Sequence, residues 1–434
     1  MIWRGLFIPL LCGYLLAAGV LLPAAGARAQ AAGALAQADS LFSGGHTKLR
    51  LTAADYPDDS VMEAFADDPS YDQGAGLRLK FATQGSGWAA AADYQLIGVF
   101  GDSLELDREL AGSAFFPAQV LNDDHRLMDL TYAFSDNSDR VVLHRLDRLY
   151  GELRRDKWIA RLGRQAVSWG NGLIYTPMDF LNPFDPAAVD TEYKTGDDMA
   201  YGQYLRDNGD DWQAVWVVRR DNDKNLDRQV NSSALKYHGF AGEAEYDLLI
   251  AEHYDDTIVG IGGSIPWGGA VLRADLTFTD TADENTWSGV ASWSWSWIGF
   301  DKNMSGVLEY FYNGFGQGGK KYSPAELRSN PDLVQRLARG ELFTLGKHYL
   351  GGSVLVEVTP LLHISPNVFL NLADGSLLAQ LVASFDVAQD WQLLASLNVP
   401  IGSSGTEYGG FDSGIDELEF HAGPSLFAQL AWYF

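Results

Sequence analysis

Apolar side chains recur at every second position along the last residues of the chain. Counting back from the final residue in steps of two gives only apolar side chains: Phe434, Trp432, Leu430, Ala428 and Leu426. The positions between them carry a mixture of polar and apolar side chains. Because successive residues of a β-strand point to opposite faces, this pattern predicts a strand with one face that tolerates lipid.

The same alternation recurs in many short segments upstream. In one of them, Trp293, Trp295 and Trp297 alternate with serines. Turn-forming sequences such as Asp374-Gly375 separate the segments. The predicted strands are 47–54, 76–83, 87–98, 126–134, 141–153, 157–168, 197–206, 211–219, 233–239, 243–253, 257–265, 269–278, 287–299, 304–312, 346–358, 362–371, 376–386, 391–399 and 419–434.

These strands predict an all-β fold, a transmembrane antiparallel up-and-down β-barrel. A closed ring of strands satisfies every backbone polar group inside lipid. Bacterial single-chain barrels have an even number of strands, whereas the candidates above are odd in number. One assignment in the first third of the chain is therefore wrong, and we expect about 16 to 18 strands, with 18 favoured.

The connections between the predicted strands sort by length. If the last strand runs towards the periplasm, long loops fall outside the cell and short turns inside, which is the asymmetry typical of these barrels. The predicted outer loops are 169–196, 220–232, 279–286, 313–345 and 400–418. The predicted periplasmic turns are 154–156, 207–210, 240–242, 266–268, 300–303, 359–361 and 387–390.

Loop 313–345 contains the helical signals of the chain. Ser323 followed by Pro324 and then Glu326 has the form of a capping box with proline at the first helical position. Asn330-Pro331 begins a second turn, and Gly340 is placed to end it. The insert is either a lid over a pore mouth or a folded surface loop.

The N-terminus has the pattern of an export signal. Arg4 precedes an apolar run, and small residues lead to Ala27-Arg28-Ala29. We expect a cleaved signal peptide over 1–29, a flexible segment over 30–46 and a single barrel over 47–434. The single cysteine, Cys12, lies in mid-core of the signal and not at a lipidation position, so the mature chain has no disulfide or thiolate site.

The charge of the chain is strongly acidic. Removing Arg4 and Arg28 from the 31 basic residues leaves 29 against 57 acidic ones, a net charge of −28 for residues 30–434. This acidity argues against nucleic-acid binding, which needs a basic footprint. A barrel accommodates this charge in its loops and lumen.

Basic residues nevertheless cluster over 140–164, and carboxylates follow in the next loop. Arginines on a barrel wall that face carboxylates on an inward loop would make a constriction with a transverse field. The alternative is structural, with the arginines pinning the loop. The predicted pore residues are Arg148, Arg154, Arg161, Arg164, Gln165, Asp185, Asp190, Glu192, Asp197 and Asp198.

The stretch Gly163-Arg164-Gln165 to Ser168-Trp169-Gly170, followed by Asn182-Pro183, carries a family resemblance. It resembles porin-like outer-membrane barrels with a GRQxxSWG strand end and an NP loop, including alginate-export-type barrels. The match covers about 161–200. The resemblance implies a channel with an inward-folded loop and leaves the solute open.

Metal and catalytic motifs are weak. Asp221, Asp223, Asn225 and Asp227 have the spacing of a calcium loop, but the glycine at the sixth position and the glutamate at the twelfth are missing. A solvated acidic loop is the favoured interpretation, and we predict no metal and no cofactor. No metalloprotease, nucleophile-elbow or nucleotide motif is present, so we predict that the chain is not an enzyme.

The resulting hypothesis is an outer-membrane channel for small hydrophilic solutes, narrowed by loop 169–196. Its expected partners are outer-membrane lipid and lipopolysaccharide, the solutes, and the barrel-assembly machinery, which would read the last strand ending in Phe434. One alternative is an export or assembly barrel that works with a periplasmic transporter or polymer machine, which predicts either a strongly cationic lumen for a polyanion or a partner encoded nearby. The other is a barrel hydrolase, which predicts a histidine beside a serine or aspartate at one height on adjacent strands.

Overall fold

The computed structural model describes residues 41–63, 69–109, 122–415 and 418–434. The predicted signal peptide 1–29 lies outside the described residues, as does the greater part of the segment 30–46. The first strand begins at Phe42, inside that segment and ahead of the predicted start of the barrel at residue 47.

The described residues contain twenty-one strands and three α-helices. The helices are α1 (Ser103–Glu109), α2 (Pro324–Arg328) and α3 (Pro331–Ala338), and a 3₁₀ turn covers Arg228–Val230. Within the described part of the chain, no helix has the length and apolar character needed to cross a membrane. The strands are β1 (Phe42–Ala54), β2 (Ser70–Gly85), β3 (Trp88–Gly101), β4 (Thr131–Asn137), β5 (Arg140–Arg155), β6 (Trp158–Gln165), β7 (Asp197–Leu205), β8 (Asp211–Val217), β9 (Ser232–Ala241), β10 (Ala244–His253), β11 (Asp256–Trp267), β12 (Ala270–Asp280), β13 (Asn285–Gly299), β14 (Lys302–Tyr312), β15 (His348–Thr359), β16 (Leu362–Asn371), β17 (Leu377–Ala388), β18 (Trp391–Ile401), β19 (Phe411–Ile415), β20 (Leu418–Phe420) and β21 (Ser425–Tyr433).

Eighteen strands close into one antiparallel barrel, which confirms the predicted fold class and the favoured count. β21 pairs with β18 on one side and with β1 on the other, where Leu430 lies opposite Leu49. The seam between β1 and β21 joins the first and last strands of the barrel, so only lateral pairing and not a turn closes it. β19 and β20 form a separate hairpin.

The surplus strand candidate of the sequence, 126–134, is explained by β4. β4 pairs with the first half of β5, where Thr131 lies opposite Arg145, and β6 pairs with the second half, where Arg164 lies opposite Leu149. Because β4 and β6 share one edge of β5, they occupy a single place in the ring. The prediction of a separate wall strand over 126–134 was wrong for this reason.

The alternation of exposed and buried side chains along each strand assigns the outer and inner faces of the wall. On β10, Leu248 and Ile250 are exposed on the outside, whereas Asp247 and Leu249 are buried on the lumen side. Trp293, Trp295 and Trp297 form a stacked outer row with ring centroids 4.6 and 5.4 Å apart. Their intervening serines point inward, as the period of two predicts.

The two ends of the barrel differ. The short-turn end carries the connections 86–87, 156–157, 206–210, 242–243, 268–269, 300–301, 360–361 and 389–390. Phe300 and Asp301 both have positive φ, as a type I′ hairpin turn requires. The long-loop end carries the connections 55–69, 102–139, 166–196, 218–231, 254–255, 281–284, 313–347, 372–376 and 402–424. The predicted long loops and short turns thus lie at opposite ends.

The helical insert has the predicted caps. The Ser323 side chain accepts a hydrogen bond from the Glu326 backbone N–H and starts α2, and the Asn330 side chain does the same for α3 through Leu333. Gly340 follows α3 with a φ of 67°. The local signals were sufficient here because caps involve residues only three positions apart.

The assignment of faces predicts different effects at two adjacent positions of β17. Ala383 points outward between Leu381 and Phe385, and Ser384 points into the lumen. We expect Ala383→Arg to lower the free energy of unfolding by about 2 to 4 kcal/mol near the bilayer midplane, because the outward face meets lipid. Ser384→Arg is the matched control and should cost less than half as much. Urea unfolding of both variants in lipid vesicles measures the difference, and equal losses would contradict the assignment.

Candidate pore constriction

The connection 166–196 between β6 and β7 folds into the lumen. Its first part buries Trp169, Met178, Phe180 and Leu181 against inward side chains of the wall, including Val215, Leu249 and Ile258. An apolar patch on an inner barrel wall is unusual, since the interior of a transmembrane β-barrel is generally polar. The patch is covered by the loop and therefore serves to seat it.

Wall carboxylates hold the next residues of the loop. Asp275 on β12 accepts hydrogen bonds from the backbone N–H groups of Asn171, at 2.6 Å, and Gly172, at 3.2 Å. The Asn171 side-chain amide donates to Asp275 and also to Asp247 on β10, at 2.8 and 3.1 Å. Two strands of the wall thus bind one side chain of the loop.

Glu309 on β14 continues this row of acceptors. Its carboxylate accepts three consecutive backbone N–H groups, from Leu173 at 2.9 Å, Ile174 at 3.1 Å and Tyr175 at 2.6 Å. The side chain of Glu309 is fully buried. Hydrogen bonds to a charged acceptor are worth about 1.5 to 3 kcal/mol each, so this contact fixes the path of the loop.

The second part of the loop crosses to the opposite side of the barrel. The Gln380 side chain on β17 donates to the Ala187 carbonyl at 2.8 Å. Asp190 then pairs with Lys48 and Arg50 of β1, at 2.8 Å each, and Glu192 pairs with Lys48 at 2.7 Å. The loop therefore has anchors on β10, β12, β14, β17 and β1.

The two carboxylates that meet β1 are held in the charged form. Burial alone would raise the pKa of Asp190, but the hydrogen bond and charge of Lys48 and the charge of Arg50 outweigh it and lower the pKa. Burial likewise opposes ionisation of Glu192, and the contact with Lys48 lowers its pKa. Both side chains were predicted pore residues, and the structure brings them together on the wall.

Three predicted wall arginines lie near the loop or the open lumen. Arg148 donates to the carbonyl of Lys194 and to Asp147, and thereby holds the returning end of the loop. Arg154 and Arg161 both pair with Glu152, and both keep a large part of their side chains exposed. These two arginines lie towards the short-turn end, away from the loop anchors.

Arg164 and Gln165 are placed elsewhere than the sequence analysis expected. Arg164 is 1% exposed and pairs with Asp198 at 2.8 Å and with Asp123 at 2.9 Å. Gln165 is also buried, and its side chain donates to the Met199 carbonyl. Segment 122–130 covers Arg164, which contributes to structure and not to an open pore surface.

Asp197 and Asp198 have the same structural role. Asp197 is buried and pairs with Arg219 at 2.9 Å, and Asp198 accepts the Met128 backbone N–H at 2.7 Å. They pin segments 122–130 and 218–231 to the top of β7. Asp185, by contrast, stays accessible on the loop. The surrounding protein removes part of its water and raises its pKa, which the Ala187 N–H partly offsets.

The calcium-like spacing over 221–227 forms local turns. The Asp221 carboxylate accepts the N–H groups of Asp223 and Asn225, and Asp227 caps the 3₁₀ turn through Gln229. Among the described residues, the one group of three acidic or histidine side chains with converging ligand atoms is Asp59, Glu419 and His421.

A cavity of about 280 Å³ lies between the loop and the wall formed by β1, β2, β3 and β5. It is rich in basic groups that the sequence analysis did not single out. Within the described residues, His46 Nδ1 and Arg78 Nε are buried in its lining without a hydrogen-bond partner. The charged and titratable residues of the lining are His46, Lys48, Arg50, Arg78, Arg145, Asp147, Asp190, Tyr193 and Lys194.

The connection 313–347 forms a second inward layer. Arg336 of α3 pairs with Asp256 at 2.6 Å, and Glu341 lies 3.0 Å from His253 Nε2. On the other side of the ring, His253 Nδ1 lies 2.7 Å from the Ser232 hydroxyl. This is the histidine beside a serine on adjacent strands that the hydrolase alternative expected. Ser232, His253 and Arg219 are buried, and Arg219 donates a hydrogen bond to the serine oxygen, so the group joins wall to loop.

Glu407 ties the connection 402–424 to the other loops. It accepts hydrogen bonds from the Leu345 N–H and the Asn371 amide, both at 2.8 Å, and from the Tyr349 hydroxyl. Burial is the largest influence and raises the pKa of Glu407 to about 7, although these hydrogen bonds oppose the shift.

Solved structures of porin-like β-barrels have a similar architecture. Pseudomonas aeruginosa OccK5 (OpdH) matches with a TM-score of 0.50 and 12% identity over 90% of this chain and 97% of that one. Acinetobacter baumannii OccAB1 has a TM-score of 0.50 and 9% identity over 90% and 96% of the two chains. Pseudomonas aeruginosa OccK7 (OpdD) has a TM-score of 0.50 and 10% identity over 91% and 98%. At these identities the likeness shows a shared porin-type barrel fold alone. No protein-family model matches the chain, and no curated protein matches its sequence.

The anchoring by Glu309 predicts a change in pore size. Glu309→Gln replaces half of the acceptor with a donor that faces the N–H groups of 173–175. We expect the loop to detach, single-channel conductance to rise, and the free energy of unfolding to fall by about 3 kcal/mol. Glu245→Gln, on the lumen side of β10 but exposed, is the control. Unchanged conductance in Glu309→Gln would show that the loop does not limit the pore.

The shifted pKa of Glu407 predicts a dependence of stability on pH. Because the folded pKa lies above the ordinary value, the folded state binds the proton more tightly. The stability contribution is therefore complete below about pH 4.5 and is lost as the pH rises through about 7. We expect the free energy of unfolding of the wild type to fall by roughly 3 kcal/mol between pH 5 and pH 8 because of this group, and we expect Glu407→Gln to abolish that fall. Urea midpoints over this range measure it, with Glu357→Gln at the short-turn end as control. Parallel pH profiles for the wild type and Glu407→Gln would contradict the assignment.

Proposed function

We propose that this protein is an outer-membrane channel through which small hydrophilic solutes diffuse. The porin-type barrel supports a channel, and the observation that carries the proposal is the inward connection 166–196 with anchors around the wall. A loop held in this way narrows the lumen without needing a cofactor or an energy source. The proposal includes export through a cleaved signal peptide, a lipopolysaccharide environment, and assembly through the last strand ending in Phe434.

The charge of the constriction favours small anions. On one side of the lumen, Asp247, Asp275 and Glu309 are occupied by loop donors, so little of their charge faces a solute. On the other side, the cavity between loop and wall is lined by five lysine or arginine side chains and by two aspartates. This excess of positive charge favours an entering anion over an entering cation.

The two alternatives receive less support. A polymer exporter needs a wide and strongly cationic passage, whereas this lumen holds two inward loops and pairs most of its arginines with carboxylates. A hydrolase needs an accessible nucleophile, and the Ser232 hydroxyl is buried and bonded to His253 and Arg219. Diffusion of small solutes is the function most compatible with these contacts.

Single-channel recording in a planar bilayer with a salt gradient tests the proposal. We expect discrete conductance steps and a reversal potential that indicates anion preference. Arg145→Gln removes one charge from the lining of the cavity and should lower the anion-to-cation permeability ratio about two- to fivefold. Arg206→Gln, in a turn at the short-turn end, is the matched control and should leave the ratio unchanged.

Two results would contradict different parts of the proposal. Absence of conductance at all voltages, for correctly folded protein, would contradict an open channel. Conductance with cation preference, unaffected by Arg145→Gln, would leave the channel intact and contradict the role of the basic lining.

A further inference from the structure

Three potential metal ligands meet at the long-loop end of the barrel. Asp59 lies in the connection between β1 and β2, Glu419 lies in β20, and His421 follows β20. One ligand atom from each side chain lies within 4.8 Å of the others. The group brings together two segments that are far apart in the sequence, since Asp59 and His421 are separated by 362 positions.

The backbone fixes the two segments against each other. The Glu419 N–H donates to the Asp59 carbonyl at 2.7 Å, and the Val61 N–H donates to the Glu419 carbonyl at 2.8 Å. The buried Ser60 hydroxyl donates to the His421 carbonyl, also at 2.7 Å. All three side chains therefore leave a backbone whose register is set before any ligand binds, which lowers the entropic cost of binding.

The chain approaches the group closely at Gly410. A Cβ atom there would lie 2.7 Å from a carboxylate oxygen of Glu419 and 2.8 Å from the ring-bearing carbon of His421. Gly410 also has a φ of 87°, which a residue with a side chain rarely adopts. Only glycine leaves the carboxylate and the imidazole in their present positions.

Within the described residues, no lysine or arginine forms an ion pair with Asp59 or Glu419. The Asp59 carboxylate lies 3.4 Å from His421 Nδ1, and the Glu419 carboxylate accepts a hydrogen bond from the Ser404 hydroxyl. Two carboxylates close together repel each other unless a proton or a cation lies between them. Other carboxylates at this end of the barrel that meet across segments, such as Asp197 and Asp198, have an arginine partner.

The ligand types select the kind of cation. Calcium and magnesium favour sites made only of oxygen ligands. An imidazole with two carboxylates suits first-row divalent transition metals, and such a set of three leaves positions for water. We propose that Asp59, Glu419 and His421 bind a divalent transition-metal ion of the zinc type, which joins the first long connection to the β19–β20 hairpin.

The position of the site gives the ion a structural effect. β1 and β21 close the ring by lateral pairing alone, and their pairing continues into the loops through the hydrogen bond from Asp55 N–H to the Pro424 carbonyl at 3.0 Å. An ion bound just beyond this point crosslinks the segments that flank the seam. It binds the folded barrel and not the unfolded chain, and so it stabilises the closed ring. This inference is independent of what passes through the lumen.

The test uses the full-length folded protein in detergent, stripped of metal by chelation. Isothermal titration with Zn²⁺ should give one site per chain, and Co²⁺ should give visible absorption bands from an imidazole-containing site. Zn²⁺ should also raise the urea midpoint. His421→Ala and Asp59→Asn should each weaken Zn²⁺ binding at least tenfold and abolish the shift of the midpoint. His363→Ala, on β16 and away from the group, should leave both unchanged.

The variants separate loss of the site from loss of the fold. Asp59 is exposed, so Asp59→Asn folds even if His421→Ala does not, and each variant is compared with wild type without metal. Equal Zn²⁺ affinity in wild type, Asp59→Asn and His421→Ala would overturn the proposal. Stabilisation by Mg²⁺ equal to that by Zn²⁺, with no dependence on His421, would overturn the assignment of the ion class. None of these measurements uses conductance, so a result that contradicts the metal site leaves the proposed channel function untouched.

Discussion

The hydrogen bonds between the connection 166–196 and the carboxylates of the wall are the interaction on which the lumen depends. A chain that leaves the strand ladder and crosses the inside of a barrel carries backbone N–H groups without strand partners. Asp275 and Glu309 accept five of them in sequence, from residues 171 to 175. Burial disfavours a bare N–H group, and it disfavours a bare carboxylate even more strongly, so each group compensates for the desolvation of the other. The loop and the wall are therefore stable only together.

The same loop separates charge across the lumen. Its first part occupies the acidic side of the wall through backbone donors, and its second part reaches the basic side with Asp190 and Glu192. These two carboxylates do not pair with every basic side chain on that side of the wall. Arg78 and Arg145 instead form ion pairs with Asp93 and Asp147, which belong to the wall itself. The net charge of −28 for residues 30–434 thus says little about what a solute meets inside, since local pairing and not the total determines the field.

The sequence was sufficient for the fold because its signals are local. A period of two assigns the faces of a strand, and caps such as Ser323 act over three residues, so the barrel, its count and its helical insert were predictable. The anchors were not, since Asn171 and Asp275 lie 104 positions apart. Lone carboxylates at inward positions of β10, β12 and β14 are the signal in the sequence that could have indicated anchors for an inward loop. Arg164 was misjudged because segment 126–134, taken as a wall strand, instead leads into β4 and covers it.

One wall residue links the two inward loops. His253 contacts Glu341 of the connection 313–347 through its Nε2 atom, and its ring lies 5.0 Å from that of Phe180 in the connection 166–196. Asp179, next to Phe180, has a pKa raised to about 6 by burial, an effect that its contact with Lys194 opposes. Moving either loop would expose the buried face of the histidine and leave a polar atom without its partner. Packed contacts of this kind have few alternative arrangements. The mobility of the connection 313–347 and the width of the lumen, which the connection 166–196 sets, are therefore physically coupled.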